Sequence, residues 1–275
     1  MTALKMKVTI DGKPVSFSAI HSAELERTIA VASDLLQLIE SDTELSHKVA
    51  PQLKSMHKLL EEKDASLEDL KNALVSLKLD TGTENMLALL LPETNWMSQK
   101  YNASNEKEIH YNLSQTTIEI EGLSAQQFGQ FLAHQMASED DNAIRGILIA
   151  NPDHYVSTNT NPDGSGDEEL IETMGMYEKP MRYILHTTTD KKDFPAPRLE
   201  NYPIVLCVIG TDSQTGNYSG ITAFHQFKPT EKGFIASLNL YFSDKFPAQL
   251  VEQHKMHLAI EFSNWIKAAY DEQNK

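Results

Sequence analysis

The sequence predicts an α+β protein, with an antiparallel sheet packed on a long C-terminal helix and, before it, a small, mostly helical N-terminal region with a β-hairpin. Three observations predict it. After Pro247, Val251, His254, Leu258, Phe262, Trp265 and Ala269 recur at three- and four-residue steps, which is one apolar stripe of a helix. Just before it, Phe234, Ala236, Leu238, Leu240 and Phe242 alternate with Ile235, Ser237, Asn239 and Tyr241, the period of a strand with one more apolar face. Between residues 154 and 242, strand-like runs follow one another through short turns, which argues for an antiparallel meander.

In chain order, Val8 to Phe17 holds two short apolar runs around Asp11-Gly12, a hairpin signal. Leu25, Ile29, Ala32, Leu36 and Ile39 then share a helical face. A second helix carries Leu45, Val49, Leu53, Met56 and Leu60, with a kink or restart at Pro51. Ser66, followed by Asp69, caps a third helix striped by Leu67, Leu70, Leu74 and Leu77. Thr83 to Leu91 reads as a short helix ended by Pro92. The polar run from residue 98 to 107 reads as a linker, dividing a region 1–97 from a sheet-and-helix region 108–275. After it come a strand at 115–121, a helix capped by Ser124 and a second capped by Ser138. Six strands follow, at 154–158, 168–176, 181–189, 203–210, 219–228 and 233–242, and then the long helix.

This order of strand, two helices, six strands and long helix resembles the helix-grip architecture of the START and Bet v 1-like group. The resemblance covers residues 115–272 and rests on element order. No short family motif is matched, so no functional residue is carried over. It implies a cavity between the curved sheet and the last helix, bordered by the apolar stripe that carries His254.

Composition narrows the function classes. A net charge of −15 argues against non-specific nucleic-acid binding and against an anionic membrane surface. No stretch approaches the ~20 apolar residues of a membrane span, and the first residues carry no apolar run of signal-peptide length, so a soluble cytoplasmic protein is expected. The single cysteine, Cys207, lies in an apolar run and reads as a buried, inert thiol.

Chemical motifs are sparse. Neither a phosphate-binding glycine loop nor G-x-S-x-G occurs. Asn161, Asp163, Ser165, Gly166 and Glu172 approximate a calcium loop, but Pro162 intrudes and Glu168 stands where an apolar residue is usual, so the stretch reads as an acidic hairpin loop. His257 and Glu261 sit one helical turn apart and could share a metal face, but no third ligand is visible and the pair reads as a polar flank. No metal or cofactor is expected. Arg182, Ile184 and His186 share one face of a strand, and Met181, Tyr183 and Leu185 the other; period two does not say which face is inside, and outward is the better prior for the charged one. Thr222, Phe224 and Gln226 alternate in the same way with Ala223, His225 and Phe227.

The expected function is binding of an apolar or amphipathic small molecule between the sheet and the C-terminal helix. Arg182, His186, His225, His254, Phe262 and Trp265 are the candidate ligand-binding residues. The alternative is a non-enzymatic protein-interaction module, acting on a partner or a second copy through its acidic surface and helical N-terminal region. An enzyme using Arg182, His186 or His254 ranks third. A closed, well-packed sheet–helix interface would favour the interaction module, an enclosed apolar cavity of roughly a few hundred Å³ the binder, and convergent ionisable groups inside that cavity the enzyme.

Overall fold

The hairpin expected at Asp11-Gly12 forms in the computed structural model, which describes residues 3–62, 64–101, 109–137, 141–159, 167–175 and 179–274. Strand β1 (Lys5–Ile10) pairs with β2 (Lys13–Val15), and Asp11 and Gly12 take φ of 49° and 72°, as a two-residue turn of the I′ type requires. Strand β1 also pairs along its other edge with β3 (Tyr111–Glu121), setting Val8 opposite Ile118, so the hairpin extends the main sheet.

Five helices follow the hairpin: α1 (Phe17–Glu40), α2 (Thr43–Lys48), α3 (Ala50–Glu61), α4 (Leu67–Thr81) and α5 (Thr83–Tyr101). Ser16, Asp42 and Ser66 cap the first, second and fourth by accepting backbone N–H bonds in the first turn. Helix α5 does not stop at Pro92. Proline inside a helix costs about 3 kcal/mol, but the stripe Met86, Leu90, Thr94, Met97 and Tyr101 stays buried through it. Tyr101 also stacks on Phe246 with ring centroids 4.7 Å apart. That packing carries the helix past the proline. Residues 98–101 of the expected linker are therefore the last turn of α5, and 102–107 lie outside the described residues.

Helix α6 (Ala125–Ala137) begins with a reciprocal cap in which Ser124 Oγ accepts from Gln127 N while Gln127 Oε1 accepts from Ser124 N. The cap expected at Ser138 lies outside the described residues, and α7 runs Asp141–Ala150. The six strands are β4 (His154–Asn159), β5 (Glu168–Glu172), β6 (Met181–Thr188), β7 (Ile204–Asp212), β8 (Tyr218–Pro229) and β9 (Gly233–Ser243), and α8 (Ala248–Gln273) closes the chain. The calcium-like loop at 160–166 and Met176, which the sequence places in the second of the six strands, lie outside the described residues. Cys207 is buried in β7, and burial pushes its thiol up to about 11.

Among the described residues, nine strands form one antiparallel sheet in the order β2-β1-β3-β9-β8-β7-β6-β5-β4. With α8 packed on β3 and flanked by α1, α6 and α7, this is a helix-grip arrangement. One core lies between the sheet and α8, around Ile118, Phe128, Phe234, Phe262 and Ile266. A second joins α1–α5 to the far end of the sheet, where Leu35, Met56 and Leu74 pack in one cluster with Tyr155, Val156 and Ile171. Helix α8 is therefore buried on two sides, which overturns the reading of His257 and Glu261 as a polar flank: His257 is only 3% exposed and Glu261 9%.

Candidate functional site

Alternation along the strands decides what faces α8. On β6, Tyr183 and Leu185 point inward and line a cavity of about 100 Å³ between the sheet and α8. Leu170 on β5, Val208 on β7 and Ala223 on β8 line it from the sheet side, and Leu258 from α8. His225, His254, Phe262 and Trp265 line the same cavity. Arg182 and His186 stand on the opposite face of β6 and do not. Arg182 Nε donates to Glu169 Oε1 at 2.8 Å; His186 lies 2.8 Å from Thr211 Oγ1 through Nε2 and 2.8 Å from Asp167 Oδ2 through Nδ1.

The two cavity histidines outside the charged cluster are held neutral. His225 Nδ1 accepts from Asn239 N–H at 3.1 Å, and burial pushes its pKa down to about 3. Burial, with the charge of His257 adding to it, holds His254 well below its ordinary value. The His254 ring stacks on His257 with centroids 4.6 Å apart.

The cavity lining also holds a cluster of ionisable groups, His154, Glu172, His257 and Glu261, and Glu168, which accepts from Ser157 Oγ at 2.7 Å, lines it too. Register brings the first two together, because His154 at the start of β4 pairs directly with Glu172 at the end of β5. Helical spacing brings the other two, one turn apart on α8. His257 Nε2 lies 3.2 Å from Glu172 Oε2 and 3.7 Å from Glu261 Oε2. His154 Nε2 lies 3.4 Å from Glu172 Oε2 and 3.6 Å from Glu261 Oε1.

The outer nitrogens have fixed partners. His154 Nδ1 lies 2.9 Å from Ile147 O, and a carbonyl can only accept, so Nδ1 carries a proton. His257 Nδ1 lies 3.0 Å from Asp153 Oδ2, which also accepts from Arg27 Nε at 2.6 Å. Burial would raise the Asp153 pKa, but Arg27 and His257 outweigh it and hold that carboxyl low. Lys78 Nζ donates to Pro152 O at 2.7 Å and to His154 O at 2.6 Å, pinning the turn that presents Asp153. The Tyr183 hydroxyl donates to Glu172 Oε1.

Burial opposes charge on every member of the cluster. For His257, hydrogen bonds to Asp153 and Glu172 win, and its pKa is held up at about 10. For His154 the Glu172 hydrogen bond and the Glu261 charge also outweigh burial, and its pKa is raised. The same hydrogen bonds hold Glu172 below the usual carboxylate range. Glu261 has less help, and burial pushes it up to about 7.

Sequence reasoning paired His257 with Glu261 and named Glu172 only as the last position of a calcium-like loop; it did not single out His154 or join the four. His154 and Glu172 lie on a strand pair about a hundred residues earlier in the chain, and only the register of that pair and the packing of α8 bring them in. The one local signal was the spacing of two ligating residue types on a helix.

No family model matches the sequence, and neither does any curated protein sequence. Fourteen chains of solved structures match. One, titled "Crystal structure of Ara h 8.0201", is similar over 60% of this chain and 97% of its own, at 8% identity and a TM-score of 0.34. A likeness of that size carries no argument about function.

Proposed function

We propose that this chain binds a small apolar or amphipathic molecule in the cavity between the sheet and α8, with any polar end toward His154, Glu172, His257 and Glu261. One observation carries the reading: a mostly apolar cavity whose lining also carries a convergent cluster of ionisable groups. The volume of about 100 Å³ limits the ligand to a few heavy atoms; an apolar cavity of about 150 Å³ holds benzene. The Trp265 indole lines the same wall, and its buried Nε1 has no hydrogen-bond partner among the described residues, so a ligand acceptor would satisfy it. The cavity is smaller than the roughly few hundred Å³ expected of a binder, but the sheet–helix interface is not closed, which favours binding over the interaction-module alternative.

Thermal melting of the full chain with isobutanol and with pyrrole, each of five heavy atoms, tests the proposal. Binding to the native state raises Tm with ligand concentration. The expected result is a rise in the parent that is lost in Ala223→Leu, which fills the cavity from β8. No rise with either probe, or an equal rise in Ala223→Leu, overturns it.

A further inference from the structure

The geometry points to a binding site for one divalent transition-metal ion, held by His154 Nε2, His257 Nε2 and Glu172, with Glu261 beside them but outside the ligand set. The ligating atoms of the first three lie within 4.8 Å of one another, and all three residues are buried. The separations of 3.2 and 3.4 Å from the two imidazole nitrogens to Glu172 Oε2 suit ligands of one ion, because metal–ligand bonds of about 2.1 Å give ligand–ligand edges of about 3.4 Å.

The second observation is the set of partners behind the ligands. Metal-binding imidazoles donate their outer N–H to a carboxylate or a backbone carbonyl, which leaves the inner nitrogen for the metal. Both histidines are built this way, His257 through Asp153 and His154 through Ile147 O. The chain continues outward, with Arg27 fixing Asp153 and Tyr183 fixing Glu172. Two imidazoles with one carboxylate and an open position suit zinc or iron(II) rather than calcium or magnesium, which prefer oxygen ligands alone. The cavity opens on Glu172, His154 and His257, so a small ligand there could reach the ion. The inference goes beyond the apolar-ligand reading and does not need it.

The test is a calorimetric titration of chelator-stripped full chain with Zn2+ alone, in two buffers of different ionisation enthalpy, beside elemental analysis. Zn2+ outranks Fe2+ at nitrogen and oxygen sites, so it is a sensitive probe for either ion. The expected result is one Zn2+ per chain with protons released, since the imidazoles must be deprotonated to ligate. Glu172→Gln and His154→Gln each remove one ligand at little change of volume, and circular dichroism checks their fold. Each should weaken Zn2+ binding at least tenfold, and the double variant should abolish stoichiometric uptake. Failure of the parent to take up Zn2+ overturns the site. So does uptake undiminished in the double variant, which would place the ion on surface histidines. Because no organic molecule is present, either failure leaves the cavity-binding proposal standing.

Discussion

Arg27 and Asp153 lie 126 residues apart in sequence, and the arginine Nε donates to the carboxylate at 2.6 Å with both side chains buried. The pair ties α1 to the turn before β4. It also sets the charge that orients His257.

Arg27→Leu removes the guanidinium and leaves a buried carboxylate with only His257 as a charged partner. Breaking a buried pair from one side typically costs about 3–5 kcal/mol. Denaturant melts should show a lower midpoint at an unchanged slope. An unaltered midpoint would mean that the pair carries no stability. Residues 108–275 expressed alone lose Arg27 and Lys78 together and uncover Tyr155, Val156 and Ile171. They should melt below the full chain, and equal melting would support the proposed boundary at 98–107.

Phe262 and Trp265 sit one turn apart on α8 but differ in burial. Phe262 is 2% exposed inside the sheet–helix core, whereas Trp265 is half-buried at its margin. Phe262→Ala should cost about 3–5 kcal/mol, the range for an aromatic truncated in a core. Trp265→Ala should cost less, on the order of 2 kcal/mol, because fewer atoms leave a packed environment. The reverse order in paired melts would mean that the helix stripe is rotated from the position described.

His225 is neutral in the folded protein, with a pKa pushed down to about 3 by burial. Unfolded, it takes a proton near pH 6.5. Between those values the unfolded state binds more protons, so stability falls as pH drops from about 6.5 toward 3. At pH 4.5 the loss from this one group reaches about 3 kcal/mol. His225→Asn keeps an acceptor for Asn239 N–H but cannot take the charge. Melts at pH 7.5 and 4.5 should show the variant losing less stability than the parent; equal losses would contradict a buried neutral imidazole.

Local sequence by itself determined the elements. Asp11-Gly12 set a two-residue hairpin because both positions tolerate positive φ. Period two marked β6, β8 and β9, turn residues bounded the other three strands, and the Val251-to-Ala269 stripe marked α8, because side-chain direction follows backbone repeat. Their order was enough to indicate a sheet with a helix laid on it. Where a residue's fate depended on a distant partner, only the tertiary structure decided. Period two is symmetric, so it could not choose Tyr183 and Leu185 over Arg182 and His186 for the cavity face of β6; packing against α8 did. Pro92 disfavours a helix locally, but Met97 and Tyr101 beyond it are buried against the sheet. His257 and Glu261 looked like a solvated flank because the helices covering that side of α8 are invisible to a helical period. The cluster they form with His154 and Glu172 exists because strand register and helix packing, both long-range, bring four separately unremarkable side chains to one buried point.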